Sequence, residues 1–125
     1  LKEMNETSDV FQYQHHTYAL HTSKNGKPLM LLNKPKDIVQ DTRLGQDSIA
    51  RINDYAGDAK QVKYMAYPFG ATSAQARKAL QEGGITLGFT TKEGNVKLGD
   101  DRMLLNRQII VPKDTIRTFQ KKIGM

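Results

Sequence analysis

The strongest constraint on the fold is the order of two hydrophobic periods along the chain. Short apolar runs with strand character alternate with segments whose apolar residues recur every three to four positions, the pattern of a parallel sheet with crossover helices. Val10 to Gln14 (Val-Phe-Gln-Tyr-Gln) alternates with period two and predicts a first strand running into a histidine-rich segment. Asn25-Gly26-Lys27-Pro28 is a turn, and Leu29 to Leu32 is an apolar run of either type. From about Asp37 to Tyr55, Ile38, Thr42, Ile49, Ile52 and Tyr55 fit one helical face, with Gly57 at the stop. Val62 to Tyr67 predicts a strand. Thr72 and Gln75 carry a capping-box spacing that opens a helix ending at Gly83-Gly84. Ile85 to Thr90 predicts a strand, Lys92 to Asn95 a loop, and Met103 to Val111 a last strand. Pro112 suits a helix start, with Ile116, Phe119 and Ile123 as the buried face of that helix. The class is α/β, with about four strands and three helices.

The length of 125 residues fits a single domain over 1–125, able to bury roughly two-thirds of its unfolded surface. Residue 1 is Leu rather than Met, which predicts a segment of a longer protein. The absence of Cys excludes disulfide scaffolds, thiolate metal sites and cysteine nucleophiles together. No apolar run approaches the ~20 residues of a membrane span, so no transmembrane segment is expected in this chain. The net charge of +6 favours polyanionic partners such as nucleic acid, an anionic cell wall or anionic lipid. The positions of the cations argue against nucleic acid. Lys24, Lys27, Lys34 and Lys36 share one loop, while Lys113, Arg117 and Lys121 form a solvated stripe. No basic run is interleaved with aromatics, and no helix–turn–helix is present.

All three histidines, His15, His16 and His21, fall within seven residues, just after the first predicted strand. Active sites of open and barrel α/β folds form at that end of a strand. Two imidazoles with an open position suit Zn²⁺ or another borderline divalent ion, completed by a carboxylate. A polar loop whose histidines cap backbone groups is the alternative. Ala66-Tyr67-Pro68-Phe69-Gly70 is a second candidate at a strand's C-terminal end, where Pro and Gly can hold backbone N–H groups toward a ligand. A plain strand-to-helix turn is its alternative. Asp100-Asp101 could complete a metal site, although Gly-Asp-Asp before a strand is more often turn chemistry.

Four segments in this order, His16-Thr17-Tyr18-Ala19-Leu20-His21, Tyr67-Pro68-Phe69-Gly70, Gly88-Phe89-Thr90-Thr91 and Leu105-Asn106-Arg107, resemble the polysaccharide deacetylases. That family is the NodB-homology domain, the fourth carbohydrate-esterase family. The resemblance is strongest to the Gram-positive type that acts on N-acetylglucosamine polymers of the cell wall or exopolysaccharide. It implies part of a distorted, TIM-barrel-related (β/α) barrel, here the C-terminal portion of the catalytic domain. It implies a metal-dependent hydrolase, secreted or at the cell surface, with zinc, cobalt or nickel as the ion. His16 and His21 match two metal ligands, and Thr17 matches the residue that braces their loop. The Phe69 backbone N–H matches an oxyanion donor, and Tyr67, Pro68 and Phe69 match the wall of the sugar site.

Three departures accompany the match. The Asp-Asp motif that supplies the family's base and third metal ligand would precede His16 and is expected upstream of Leu1. Ala66 stands where many members carry Arg, and Arg107 where many carry the general-acid His. These departures keep a second reading open, a non-catalytic carbohydrate- or polyanion-binding relic of the same scaffold. A barrel cut in this way exposes sheet edges, which predicts completion by the missing half or a homodimer formed through those edges.

Overall fold

A parallel sheet carries everything that follows. The structure, a computed structural model, describes residues 2–6, 11–52 and 61–125. In chain order the elements are α1 (Lys2–Glu6), a hairpin of β1 (Ser23–Lys24) and β2 (Lys27–Pro28), α2 (Leu29–Leu32) and α3 (Pro35–Ala50). Then come β3 (Tyr64–Ala66), a 3-10 turn at Pro68–Gly70, α4 (Ala74–Glu82), β4 (Leu87–Glu93), β5 (Leu105–Arg107) and α5 (Ile116–Lys122). The sheet order is β3-β4-β5, all parallel, with Ala66 level with Phe89 and Phe89 level with Leu105.

His15 adds a fourth position beside β3. Its N–H donates to Tyr64 O at 2.9 Å and its carbonyl accepts from Ala66 N–H at 3.1 Å, a parallel bridge to Met65. The strand expected over Val10 to Gln14 shrinks to that bridge; Val10 itself lies outside the described residues. The cause is Gln14, whose side-chain Oε1 accepts the N–H groups of Lys63 and Tyr64 at 3.0 and 3.1 Å, in place of backbone pairing.

α3 begins two residues before the expected start, with Pro35 in its first turn. It buries Ile38, Asp41, Thr42, Gly45, Gln46 and Ala50, a stripe at helical spacing that is half polar. Ile49 and Ile52 are only half-buried, and Tyr55 and Gly57 lie outside the described residues. The polar members have work there. Gln46 Nε2 donates to Val62 O and Gly83 O, both at 2.9 Å, tying α3 to the approach to β3 and to the end of α4. α4 packs Ala76, Ala79 and Leu80 inward. Its N-cap is Ser73, whose Oγ accepts from Ala76 N–H at 3.1 Å, one residue later than the Thr72–Gln75 spacing predicts.

The last third departs furthest from expectation. β4 runs on to Glu93, through half of the expected loop. β5 keeps only three residues of the expected Met103 to Val111. Beyond Arg107 the backbone groups go elsewhere: Ile109 O accepts from Lys122 Nζ at 2.6 Å, and Val111 N–H donates to Asp114 Oδ2 at 2.8 Å. α5 is capped by Thr115 through a reciprocal capping box with Thr118, so Pro112 lies outside it. Its expected buried face is exposed, with Ile116 at 79%, Phe119 at 41% and Ile123 at 44%. The core comprises Leu20, Met30, Ile38, Met65, Tyr67, Ala76, Ala79, Leu80, Ile85 and Met103, between the sheet and α2, α3 and α4.

Candidate active site

Parallel strands deliver their C-terminal ends to one edge, and the residues after His15 and after β3 meet there. His16 Nδ1 lies 2.6 Å from the Ala66 carbonyl. A carbonyl only accepts, so Nδ1 carries the proton, and a neutral His16 presents the Nε2 lone pair outward. That is the tautomer a metal-ligating histidine takes when a backbone oxygen orients it. The His21 ring sits 4.7 Å from the His16 ring, tilted by 48°, and stacks on Phe69 at 5.0 Å with 27° between planes. Both histidines and Phe69 are exposed. Two imidazoles on one tetrahedral ion with ~2.0–2.1 Å bonds place their ring centres about 5 Å apart, so this pair fits a shared ion. Among the described residues no group of three or more His, Cys, Asp or Glu could hold a metal.

Phe69 has φ 57 and ψ 12, a left-handed conformation rare for a side-chain-bearing residue. Gly70 and Ala71 donate back to Tyr67 O and Pro68 O at 2.9 and 3.0 Å. The Phe69 N–H, in the first turn of the same short helix, has no intrahelical acceptor. Gly70 lies so close to Thr91 of β4 that a Cβ would overlap the threonine hydroxyl, which seats the turn on the Gly88-Phe89-Thr90-Thr91 segment.

Tyr67 does not wall the site with its side chain. It is 1% exposed, and its hydroxyl donates to Met103 O at 2.7 Å beneath the sheet edge. Burial pushes its pKa up to about 12. Gly88 is where it is because a Cβ there would overlap that hydroxyl. Pro68 is buried as well, so of the three predicted wall residues only Phe69, at 55% exposure, offers a surface. Arg107 ends β5, exposed at the same sheet edge and two strands from β3, roughly 10 Å across the sheet. Asp100 and Asp101 precede β5 at the opposite edge. Their carboxylates accept Lys97 N–H and Met103 N–H, both at 2.8 Å, which is turn chemistry.

The loop between the two ligand candidates is strained and held from below. Thr17 has φ 72, a conformation that costs a β-branched residue on the order of 1–3 kcal/mol, and its buried hydroxyl has no hydrogen-bond partner. The bracing comes from residues the sequence did not single out for it. His15 is 2% exposed, accepts Thr17 N–H on Nδ1 at 2.8 Å and donates from Nε2 to Thr42 O at 2.9 Å. Burial holds its imidazole below the usual histidine pKa, with the Thr42 carbonyl opposing. Asp41 accepts Tyr18 N–H on Oδ2 at 2.9 Å and Ala19 N–H on Oδ1 at 2.7 Å. The available signal was an acidic residue three positions after Ile38, inside a buried helical stripe.

Solved deacetylases share this fold. The chain superposes on Streptococcus pyogenes deacetylase PplD with a TM-score of 0.76 at 20% identity, covering 97% of this chain and 49% of that one. It superposes on IcaB from Ammonifex degensii with a TM-score of 0.69 at 22% identity, covering 98% and 51%. A de-N-acetylase from Aggregatibacter actinomycetemcomitans gives 0.68 at 20% identity, covering 94% and 49%. The architecture is thus part of the NodB-like deacetylase fold, as the sequence resemblance implies. In sequence the chain is 30% identical over 124 residues to the poly-β-1,6-N-acetyl-D-glucosamine N-deacetylase of Staphylococcus epidermidis, 98% of this chain and 40% of that protein. No protein-family model matches the chain. The chain therefore spans about two-fifths of that relative's length and half of each solved structure.

Proposed function

We propose that this chain is part of the catalytic domain of a polysaccharide deacetylase, a hydrolase that removes N-acetyl groups from an N-acetylglucosamine polymer outside the cell. The observation that carries the reading is the row His16–His21–Phe69 at the C-terminal edge of the sheet, with His16 Nδ1 held on the Ala66 carbonyl. Relatedness to the Staphylococcus epidermidis enzyme supports the polymer class.

His16 and His21 would hold a divalent cation, zinc first among the choices, with the remaining ligand and the base supplied by carboxylates elsewhere in the full enzyme. When bound, such an ion supplies Lewis acidity toward the N-acetyl carbonyl. This chain's own residues do the rest of the orienting. The Phe69 N–H donates to the carbonyl oxygen as it gains negative charge. The Phe69 ring, stacked on His21, offers a flat apolar face to the sugar, while Tyr67 and Pro68 fix the turn from below. Arg107, at the rim, binds polar groups of the polymer rather than delivering a proton, because a guanidinium stays charged at working pH. That leaves the general acid to another group.

Acetate release from a poly-N-acetylglucosamine substrate by the full-length protein tests the reading. His16→Ala and His21→Ala should each reduce release to background and abolish zinc binding. Polymer binding without acetate release in the unaltered, zinc-loaded protein would overturn the reading in favour of a binding module.

A further inference from the structure

Three consecutive backbone amides of the histidine loop are each claimed by a buried side chain. Thr17 N–H goes to His15 Nδ1, Tyr18 N–H to Asp41 Oδ2 and Ala19 N–H to Asp41 Oδ1. Asp41 is 7% exposed in the middle of α3, where a charge costs desolvation unless hydrogen-bonded, and both its oxygens are spent on the loop. His15 is anchored to the same helix through Thr42 O, and Gly45 admits its ring, because a Cβ at that position would overlap Nε2. The segment so held begins at His16, passes through a left-handed Thr17 and reaches the core again at Leu20, the residue before His21. A conformation that strained persists only where its surroundings over-determine it.

We propose that Asp41 and His15 are positioning residues of the metal site, setting His16 and His21 side by side through the loop's backbone amides rather than through either imidazole. The inference rests on the metal reading of the two histidines. Without the braces, the loop relaxes Thr17 out of its left-handed well and the two rings separate. Groups that orient metal ligands from behind are typically worth 10–100-fold in metal affinity.

The test uses the full-length protein with zinc chloride as the only probe, following the His16 and His21 ring signals by NMR, with amide exchange measured in parallel. Asp41→Ala should weaken zinc binding 10–100-fold and expose the Tyr18 and Ala19 amides to exchange, while the core amides of Gly83 and Ile85 stay protected. Asp41→Asn keeps one acceptor oxygen and should lose less affinity than Asp41→Ala, and it decides the matter if the alanine variant does not fold. Unchanged zinc affinity in both variants, with the core intact, would overturn the proposal. Unchanged exchange at Tyr18 and Ala19 would overturn it independently of zinc. If zinc moves neither ring signal in the unaltered full-length protein, the metal reading of the two histidines fails, and exchange alone then decides whether Asp41 braces the loop.

Discussion

The histidine loop and the C-terminal helix are built on opposite plans. Around the loop almost every polar group is spoken for from beneath: His15 and Asp41 hold its amides, Gln46 ties α3 to its neighbours, and Tyr67 pins the adjoining turn to Met103. α5 is held chiefly by a clamp at its own ends, Thr115 with Thr118 and Lys122 with Asp114 at 2.8 Å and Ile109 O at 2.6 Å, while its apolar face meets solvent. Amphipathic spacing is equally plain in α4 and α5, yet only α4 buries it. An apolar stripe states what a helix can bury; whether a facing surface exists is a property of the tertiary structure.

Substitutions that remove matching apolar groups from the two helices should break or sharpen this contrast most strongly. Leu80→Ala, in a fully buried position on α4, should destabilise by about 2–5 kcal/mol in urea titrations. Ile116→Ala, at a helical position of like chemistry on α5, should stay within about 0.5 kcal/mol of the parent. Comparable losses from the two would mean that α5 is covered.

The turn beside the loop comes next in size. Gly88→Ala forces a Cβ against the Tyr67 hydroxyl and should cost about 1–3 kcal/mol. Tyr67 also sets an alkaline limit. Its ordinary pKa of 10.0 is raised to about 12 in the folded chain, so the folded state disfavours its ionised form. Stability is unaffected by this group below pH 10, and falls as the pH rises from 10 toward 12 because the unfolded chain ionises first. Tyr67→Phe should flatten that fall in pH-dependent melting curves, and an unchanged slope would assign it to other groups.

Smaller effects locate the cap of α4. Ser73→Ala should cost about 1 kcal/mol, while Gln75→Ala, at an exposed position with no part in the observed cap, should cost less than about 0.5 kcal/mol. The reverse ranking would restore the cap that the spacing suggests. Smallest of all is the acid response of the C-terminal clamp. The Lys122 ammonium, then the Val111 N–H, hold the Asp114 carboxyl below the usual carboxylate range. Its contribution is present above the ordinary carboxylate pKa and lost as the pH falls through the lowered one. Lys122→Met should therefore shrink the chain's acid sensitivity only slightly, and a large change would show that this single ion pair does more than pin the end of α5.

Much of this architecture was legible because hydrophobic period is local. β3, α4, the start of β4 and the parallel order follow from runs that each element carries in itself. What escaped was set by distant partners. β5 stops at Arg107 because Lys122 and Asp114 take the next backbone groups, and the first strand shrinks to His15 because Gln14 uses its side chain as backbone. In the site, the rings of His16, His21 and Phe69 lie side by side. Tyr67 turns inward because a glycine on β4 leaves room for it. Asp41 and His15 were hidden for the same reason: an acid on a buried helical face and a histidine beside two others acquire meaning only when the loop amides come within reach.

The central claim, that His16 and His21 form one metal half-site, is tested most directly by anomalous diffraction at the zinc edge from zinc-soaked crystals of the full-length protein. The account predicts one peak bonded at about 2.0–2.1 Å to His16 Nε2 and to a His21 ring nitrogen, with His16 Nδ1 still on the Ala66 carbonyl. A zinc ion bound elsewhere while the two rings keep their places, or a His16 that binds through Nδ1, would contradict it.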